Sequence, residues 1–209
     1  AAAEELEQAC TERVGEVLDE ELNMYTQQRA LWPMPDYGRS QRVGHRFKLK
    51  HGTVTRIYDL KDLPDNLRGP AAVHAAIYLR TSARYIMHVR SEAATAMSVI
   101  GKTVYPYLDD LAQIAGPDIR CARLCDDSQL PAAIVRALSG RNAALLEDCG
   151  GFCTGKTADD VTAASLLLEK GCEAVLYAKL LGDCRPLNSA DARLQRLVYQ
   201  AKYSRKKEA

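Results

Sequence analysis

The sequence lacks any hydrophobic run long enough to cross a membrane, since no apolar stretch approaches the roughly 18 residues that such a span needs. It also lacks an excess of charge of one sign: 28 basic side chains face 27 acidic ones, so the net charge implies no bulk electrostatic partner. Internal repeats and low-complexity linkers are absent too. The first residues, AAAEELEQAC, are acidic and helix-forming, unlike a signal or transit peptide.

The sequence also lacks the cysteine pattern that is typical of a disulfide-bonded protein. The seven cysteines are odd in number and scattered, which predicts reduced thiols in a reducing compartment. We therefore expect a cytoplasmic protein, or, because the chain begins without Met, one in an organelle matrix after presequence removal. Two C-x3-C pairs, at Cys121/Cys125 and Cys149/Cys153, can be written as a zinc site. The favoured interpretation is that they are small buried hydrophobes.

What is present is enough chain for one sizeable domain. The 209 residues and an ordinary apolar fraction of 47% allow a well-buried core. We expect an N-terminal helix and Pro-rich turn over 1–35, a main domain over 36–187, and a C-terminal helix with a basic tail over 188–209. Periodicity predicts strands at 85–89, 102–105, 118–124 and 143–147, and helices at 4–29, 71–80, 92–98, 106–115, 128–138, 157–181 and 190–202.

The stretch from Tyr37 to Tyr58 contains no acidic residue, and it alternates polar and apolar residues around His51-Gly52. This pattern predicts a basic hairpin. The hairpin could bind RNA or an acidic protein, but the favoured interpretation is a solvated edge strand protected by charge. Its cationic side chains, the predicted basic surface, are Arg39, Arg42, Arg46, Lys48, Lys50 and Arg56.

The segment Gly150–Thr157, GGFCTGKT, matches the phosphate-binding loop pattern G-x-x-x-x-G-K-[ST]. We reject nucleotide binding there for two reasons. Such enzymes need a later strand that ends in a magnesium-supporting Asp, whereas this chain is predicted to be helical after Thr157. The same residues also fit ordinary structural roles, because Thr157 and Asp160 form a capping-box pattern and the glycines suit a tight strand-to-strand turn.

Two segments of the chain have a distinctive order of residues. The first is His74-x-x-Ile77-Tyr78 followed by an apolar strand that ends His88-x-Arg90-Ser91. The second runs from Ala144 to Glu169, with LLEDCG at the end of a strand and a long helix after Thr157. Together these segments resemble the class II aldolase/adducin family. The resemblance implies an α/β fold of three α/β/α layers with a mixed, mostly antiparallel central sheet.

In the enzymes of that family the strand ends His-x-His, and two imidazoles hold a divalent metal, usually zinc. Here the second position is Arg90, whose guanidinium cannot ligate and repels a cation. The family's third ligand is a histidine at the position of Cys149, and its acid/base Glu falls at Pro70. His74 matches a family position, but we interpret it as a core or helix-face histidine.

The resemblance therefore implies a vestigial pocket of His74, His88, Arg90, Asp148 and Cys149. No residue is predicted to be catalytic, no cofactor is expected, and we expect Arg90 to pair with Asp148 or Glu147. The favoured function is a non-catalytic, adducin-head-like scaffold. The alternative is a zinc-dependent sugar-phosphate aldolase, epimerase or dehydratase that uses His74, His88 and Cys149 as ligands.

Protein partners are expected, in a homo-oligomer or a larger hetero-assembly. The long 157–181 helix and the final helix are the elements predicted to make these contacts. In the final helix an apolar stripe must be buried against its own sheet or against a neighbour. The stripe consists of Leu194, Leu197, Val198 and Tyr203.

Overall fold

The computed structural model describes residues 36–123, 125–182 and 184–202. The predicted N-terminal helix, the Pro-rich turn and Tyr203 lie outside these residues. From Asp36 onward the chain forms one compact unit. Seven strands make one sheet in the order β3-β2-β1-β4-β7-β6-β5. They are β1 (Arg39–Val43), β2 (Arg46–His51), β3 (Val54–Asp59), β4 (Tyr85–Val89), β5 (Cys121–Ala122), β6 (Ala143–Leu146) and β7 (Gly150–Gly155).

The sheet is mixed but mostly antiparallel, as expected. Only the β5–β6 pair is parallel among the strand pairs of the described residues. The predicted basic hairpin is confirmed as β2 and β3, which pair from Arg46↔Asp59 to His51↔Val54. The strands β4 and β6 lie in one sheet, with β7 between them.

Helices cover both faces of the sheet and complete the three layers. The helices are α1 (Gly69–Arg80), α2 (Glu92–Ile100), α3 (Leu130–Leu138), α4 (Ala158–Leu181) and α5 (Ser189–Lys202). The apolar sides of α1 and α3 cover one face, and those of α2 and α4 cover the other. Within the part of the chain that the structure describes, no helix has the length and hydropathy that a bilayer crossing requires.

Strand β7 is a central strand at a position where the sequence pattern predicted a turn. Glycine is required at these positions because backbone atoms of neighbouring elements lie too close to leave room for a Cβ atom. A Cβ atom at Gly150, where φ is +87°, would lie 2.2 Å from the Val89 carbonyl oxygen, and one at Gly155 would lie 2.5 Å from the Val161 nitrogen. Three glycines in six residues hide the strand signal, because glycine is depleted in strands.

Two predicted strands and one predicted helix are shorter than expected. At 102–105 only Val104 bridges, to Ile119, and within 118–124 only Cys121–Ala122 form a strand among the described residues. At 106–115 the structure has a π-helical turn, Leu111–Ala115, preceded by a short bend. The predictions were wrong because many of the buried apolar residues here lie in loops. Apolar content alone does not distinguish a buried loop from a strand or a helix.

Helix α5 turns the described part of its apolar stripe away from the chain's own sheet. Its buried residues are Ala192 and Arg196, which face the π-helical turn. Leu194 and Leu197 are 59% and 63% exposed. The apolar stripe therefore does not cover the chain's own sheet.

Candidate functional site

The candidate site lies where β4 ends, at His88. Antiparallel pairing sets His88 opposite Phe152 of β7 and places its ring against the aromatic rings of Phe152 and Tyr37, with centroid distances of 5.0 and 5.3 Å. The His88 side chain has no solvent-accessible area. The site is thus a closed, partly aromatic pocket rather than an open cleft around this imidazole.

Both ring nitrogens of His88 bind protein groups. Nε2 donates to the Cys149 carbonyl oxygen at 2.7 Å, and because a carbonyl only accepts, Nε2 carries the hydrogen. Nδ1 then has the lone pair, and the backbone N–H of Tyr37 donates to it at 3.2 Å. This arrangement fixes one neutral tautomer of His88.

The electrostatics favour that neutral form. Burial lowers the pKa of His88, although the carboxylate of Asp36, 3.2 Å from Nδ1, and the Cys149 carbonyl act in the opposite direction. Arg90, exposed at the end of the strand, also lowers the pKa of His88. Burial raises the pKa of Asp36, but the Gly38 N–H, His88 and Arg90 outweigh it, so the pKa of this carboxyl falls below its usual value.

His74, on α1, is buried in the core, and both of its ring nitrogens also bind protein groups. Nε2 donates to the Tyr37 carbonyl oxygen at 2.9 Å, and Nδ1 accepts from the Ser40 hydroxyl at 2.6 Å. The Tyr78 hydroxyl donates to Ser40 Oγ at 2.7 Å. Burial lowers the pKa of His74 to about 3. The interpretation of His74 as a core histidine agrees with these contacts.

Cys149 and Asp148 lie in the tight turn between β6 and β7. Asp148 takes a left-handed conformation with φ of 59°, which Asp tolerates better than most residues. Cys149 is fully buried, and its carbonyl oxygen accepts the hydrogen bond from His88. Burial, with Cys149 nearby, raises the pKa of Tyr37 to about 12. The expected ion pair of Arg90 with Asp148 or Glu147 stays a prediction.

This arrangement does not fit a divalent metal. The lone pair of each imidazole is occupied by a protein donor, so ligation by His74 or His88 would break a hydrogen bond in the core. Arg90 adds a positive charge beside the position where a cation would lie. Among residues 36–123, 125–182 and 184–202, no group of three His, Cys, Asp or Glu side chains is close enough to hold a metal ion.

The two C-x3-C pairs do not converge either. Cys149 and Cys125 belong to the core on one face of the sheet, whereas Cys153 and Cys121 belong to the core on the other face. Cys149 and Cys153 are completely buried. The sheet therefore separates the four cysteines into two pairs. Cys149 and Cys153 are small buried hydrophobes, as in the favoured interpretation, whereas Cys121 and Cys125 are only partly buried.

The phosphate-loop match is not a loop. Residues Gly150–Gly155 form β7, which pairs antiparallel with neighbours on both sides. The predicted capping box is confirmed: Thr157 Oγ1 accepts from the Asp160 N–H and Asp160 Oδ2 accepts from the Thr157 N–H, each at 3.1 Å. Most of the matched segment is therefore a central strand, and the Thr157 N–H beyond it is used in the capping box.

A carboxylate from α4 caps the helix that follows His88. Ser91 is at the N-cap position, but its side chain does not cap the helix. Instead Glu169 accepts the N–H groups of Ala93 and Ala94, each at 2.8 Å, and the Ser91 hydroxyl. An anionic side chain of the protein therefore occupies the positive end of α2.

The predicted basic surface is divided between two faces of the sheet. Four of its residues are exposed on the face of β1–β3 that none of the described helices covers: Arg39, Arg46, Lys48 and Lys50. Arg42 lies on the other face and donates to the carbonyl oxygens of Tyr78 and Gly44. Arg56 is exposed on the edge strand β3, opposite Leu49.

Three partners of the two histidines, Asp36, Tyr37 and Ser40, were not predicted from the sequence. These contacts join residues 34 to 52 positions apart. No local pattern marks them. Strand β1 has the sequence RSQRV, whose one apolar residue, Val43, is exposed, so its alternating burial is not visible in the sequence.

Solved structures with the same fold are class II aldolases and related proteins. An L-fuculose 1-phosphate aldolase is 17% identical, with a TM-score of 0.69 over 88% of this chain and 96% of that one. The L-fuculose-1-phosphate aldolase from Thermus thermophilus is 18% identical, with a TM-score of 0.59 over 73% and 90%. YgbL from Escherichia coli, described as a putative aldolase/epimerase/decarboxylase, is 15% identical, with a TM-score of 0.62 over 88% and 99%. No curated protein matches the chain.

The sequence profile of the family described as "Class II Aldolase and Adducin N-terminal domain" matches residues 58–176, more than half of the chain. That interval includes α1, the strand that ends at His88, and most of α4. The resemblance based on the His74 and His88 segments is therefore confirmed. This chain belongs to the class II aldolase/adducin family.

Proposed function

We propose that this chain is a non-catalytic member of the family and serves as a structural or assembly scaffold. The observation that carries the proposal is the state of the two histidines. All four ring nitrogens of His74 and His88 are hydrogen-bonded within the protein. An imidazole used in this way stabilises the fold and has no lone pair to offer a metal or a substrate proton.

The missing acid/base group supports the same conclusion. Pro70, at the position of the family's acid/base Glu, is in the first turn of α1 and offers no ionisable group. Arg90 occupies the second position of the metal-binding pattern. Restoring catalysis would require a base, a ligand and the release of His88 from Cys149, so one substitution is not sufficient.

The exposed leucines of α5 support assembly. Leu194, Leu197 and Val198 lie on one side of the helix and are all exposed. A helix that buries Arg196 and exposes leucines has an apolar face suited to another protein. We propose self-association through this leucine face (Leu194, Leu197, Val198), with a hetero-assembly as the alternative.

The uncovered face of β1–β3 is suited to a second, acidic protein. Its cations alternate with the exposed apolar side chains of Val43 and Ile57. Mixed apolar and basic groups favour a polypeptide over RNA, for which a stacking platform of exposed aromatic rings is expected. Binding of single-stranded RNA that Lys48→Glu/Lys50→Glu abolishes would contradict this assignment.

An activity assay tests the non-catalytic proposal directly. Purified protein is incubated with zinc and L-fuculose 1-phosphate, the substrate named for two of the structural neighbours. The expected result is no zinc-dependent cleavage above that of His88→Asn. Cleavage by the wild type that His88→Asn removes would establish the enzymatic alternative.

A further inference from the structure

A cavity of about 840 Å³ lies at the other end of the central strands from His88. The strand pairing Tyr85↔Gly155 marks that end, and His88↔Phe152 lies towards the opposite end. Four residues of strand separate Arg84 from His88, which corresponds to about 13 Å. The charged residues that line the cavity, here called the basic pocket, are Arg80, Arg84, Arg141, Lys156, Asp160 and Arg196.

The basic pocket has more positive than negative charge. Its one carboxylate, Asp160, is already bound to the N-terminus of α4. Arg141 forms an ion pair with Asp118, with Nη2–Oδ2 at 2.7 Å. Arg80 and Arg84 are exposed, and neither forms an ion pair within the described residues.

Arg196 is the most unusual residue of the pocket. It is only 6% exposed, and its Nη1 donates to the carbonyl oxygens of Gln113 and Ile114, each at 2.7 Å. Its buried Nε has no hydrogen-bond partner among the residues that the structure describes. A buried guanidinium that retains an unused donor is costly without an anion.

The surroundings of Arg196 increase that cost. Burial lowers the pKa of Arg196, Tyr199 acts in the opposite direction, and the charge of Arg141 adds a smaller lowering. Carbonyl oxygens balance part of the charge, but no carboxylate is within 4.0 Å of Arg196 in the described part of the chain. An anion in the pocket would offset the repulsion between the two guanidinium groups.

We infer that the basic pocket binds a small phosphate-bearing molecule. Guanidinium groups bind phosphate oxygens with paired N–H donors, and the pocket has several guanidinium groups. A ligand with a single carboxylate would need only one guanidinium group. The volume lies within the roughly 300–1,000 Å³ of small-molecule sites, enough for a sugar phosphate or a nucleotide. The inference does not depend on the His88 site or on its lack of activity.

Calorimetric titration of the full chain tests this inference. The probes are inorganic pyrophosphate, fructose 1,6-bisphosphate and ATP, with citrate as a polycarboxylate and fructose as an uncharged control. We expect saturable binding of at least one phosphate, weakened by salt, and binding about tenfold weaker in Arg80→Gln/Arg84→Gln. The exposed residues Arg80 and Arg84 are substituted rather than Arg196, because Arg196 also anchors α5.

The matched control is Arg193→Gln, an exposed arginine of α5 that does not line the pocket. It should bind as the wild type does, and circular dichroism should show that every variant is folded. The inference would be overturned by no saturable binding of any phosphate probe, by citrate binding more tightly than pyrophosphate, or by equal weakening in Arg193→Gln and the double variant.

Discussion

At the scale of single residues, the two histidines link separate elements of the fold. His88 joins the end of β4 to the β6–β7 turn through Cys149 and to the start of the described chain through Tyr37. His74 joins α1 to β1 through Ser40 and to the carbonyl of Tyr37. One short segment, Asp36–Ser40, therefore holds both imidazoles in their neutral forms.

A pH-dependent stability follows for His74. Its pKa is lowered to about 3 in the folded state, so below its ordinary value of 6.5 the unfolded chain binds a proton that the folded chain does not. The contribution of His74 to the free energy of unfolding is fully present above pH 6.5. It falls by about 1.4 kcal/mol per pH unit as the pH decreases below that value. His88, whose pKa is also lowered, adds to the loss in the same direction.

Urea unfolding at several pH values from about 7.5 down to 5 measures this dependence. The variant His74→Gln should be less stable at neutral pH, yet its stability should fall less steeply with decreasing pH than that of the wild type. The exposed residue His51 provides the control, since His51→Gln should keep the wild-type slope. Equal slopes for all three proteins would show that His74 is not held neutral.

At the scale of secondary structure elements, helix α2 depends on a cap from another helix. Glu169 of α4 accepts two backbone N–H groups and the Ser91 hydroxyl. The contact connects the helix after His88 to the longest helix of the described chain. It also fills a helix N-terminus that would otherwise attract an external anion.

Removal of this cap is expected to be destabilising. Glu169→Ala leaves two part-buried N–H groups without their acceptor, at a cost of about 2 kcal/mol in the free energy of unfolding. Glu173, exposed on the same helix, is the matched control, and Glu173→Ala should change the stability by less than about 0.5 kcal/mol. Equal effects of the two substitutions in urea unfolding would contradict the capping role.

The elements also show what local sequence could predict. Strand β2 alternates in the sequence as it does in burial, β4 is an apolar run of strand length, and α4 has a helical pattern that begins with a capping box. Strand β7 has no such pattern, because its glycines are required by atoms of Val89 and Val161 that belong to other elements. In the same way, Asp36 and Glu169 act through contacts with residues 52 or more positions away.

At the scale of the whole molecule, helix α5 turns its leucines outward. Its inner side, with Ala192 and Arg196, packs against the π-helical turn and borders the basic pocket. Its outer side leaves the leucine face in solvent. A single helix thereby separates a proposed small-molecule site from a proposed assembly surface, so the two can be altered independently.

Light scattering coupled to size exclusion tests self-association. The wild type should elute at a multiple of 23.0 kDa at tens of micromolar, and Leu194→Glu/Leu197→Glu should elute as the monomer while remaining folded. The control Leu79→Glu, at an exposed position on α1, should form the same oligomer as the wild type. A monomeric wild type would contradict self-association and would favour a hetero-assembly with another protein.

The central claim is that the family's metal site has been replaced by protein hydrogen bonds at His88. The most direct measurement is the zinc content of purified chain after equilibration with excess zinc and removal of the free metal, for the wild type and for His88→Asn. We predict far less than one zinc per chain in the wild type and the same amount in the variant. One tightly bound zinc per chain that His88→Asn removes would contradict the claim.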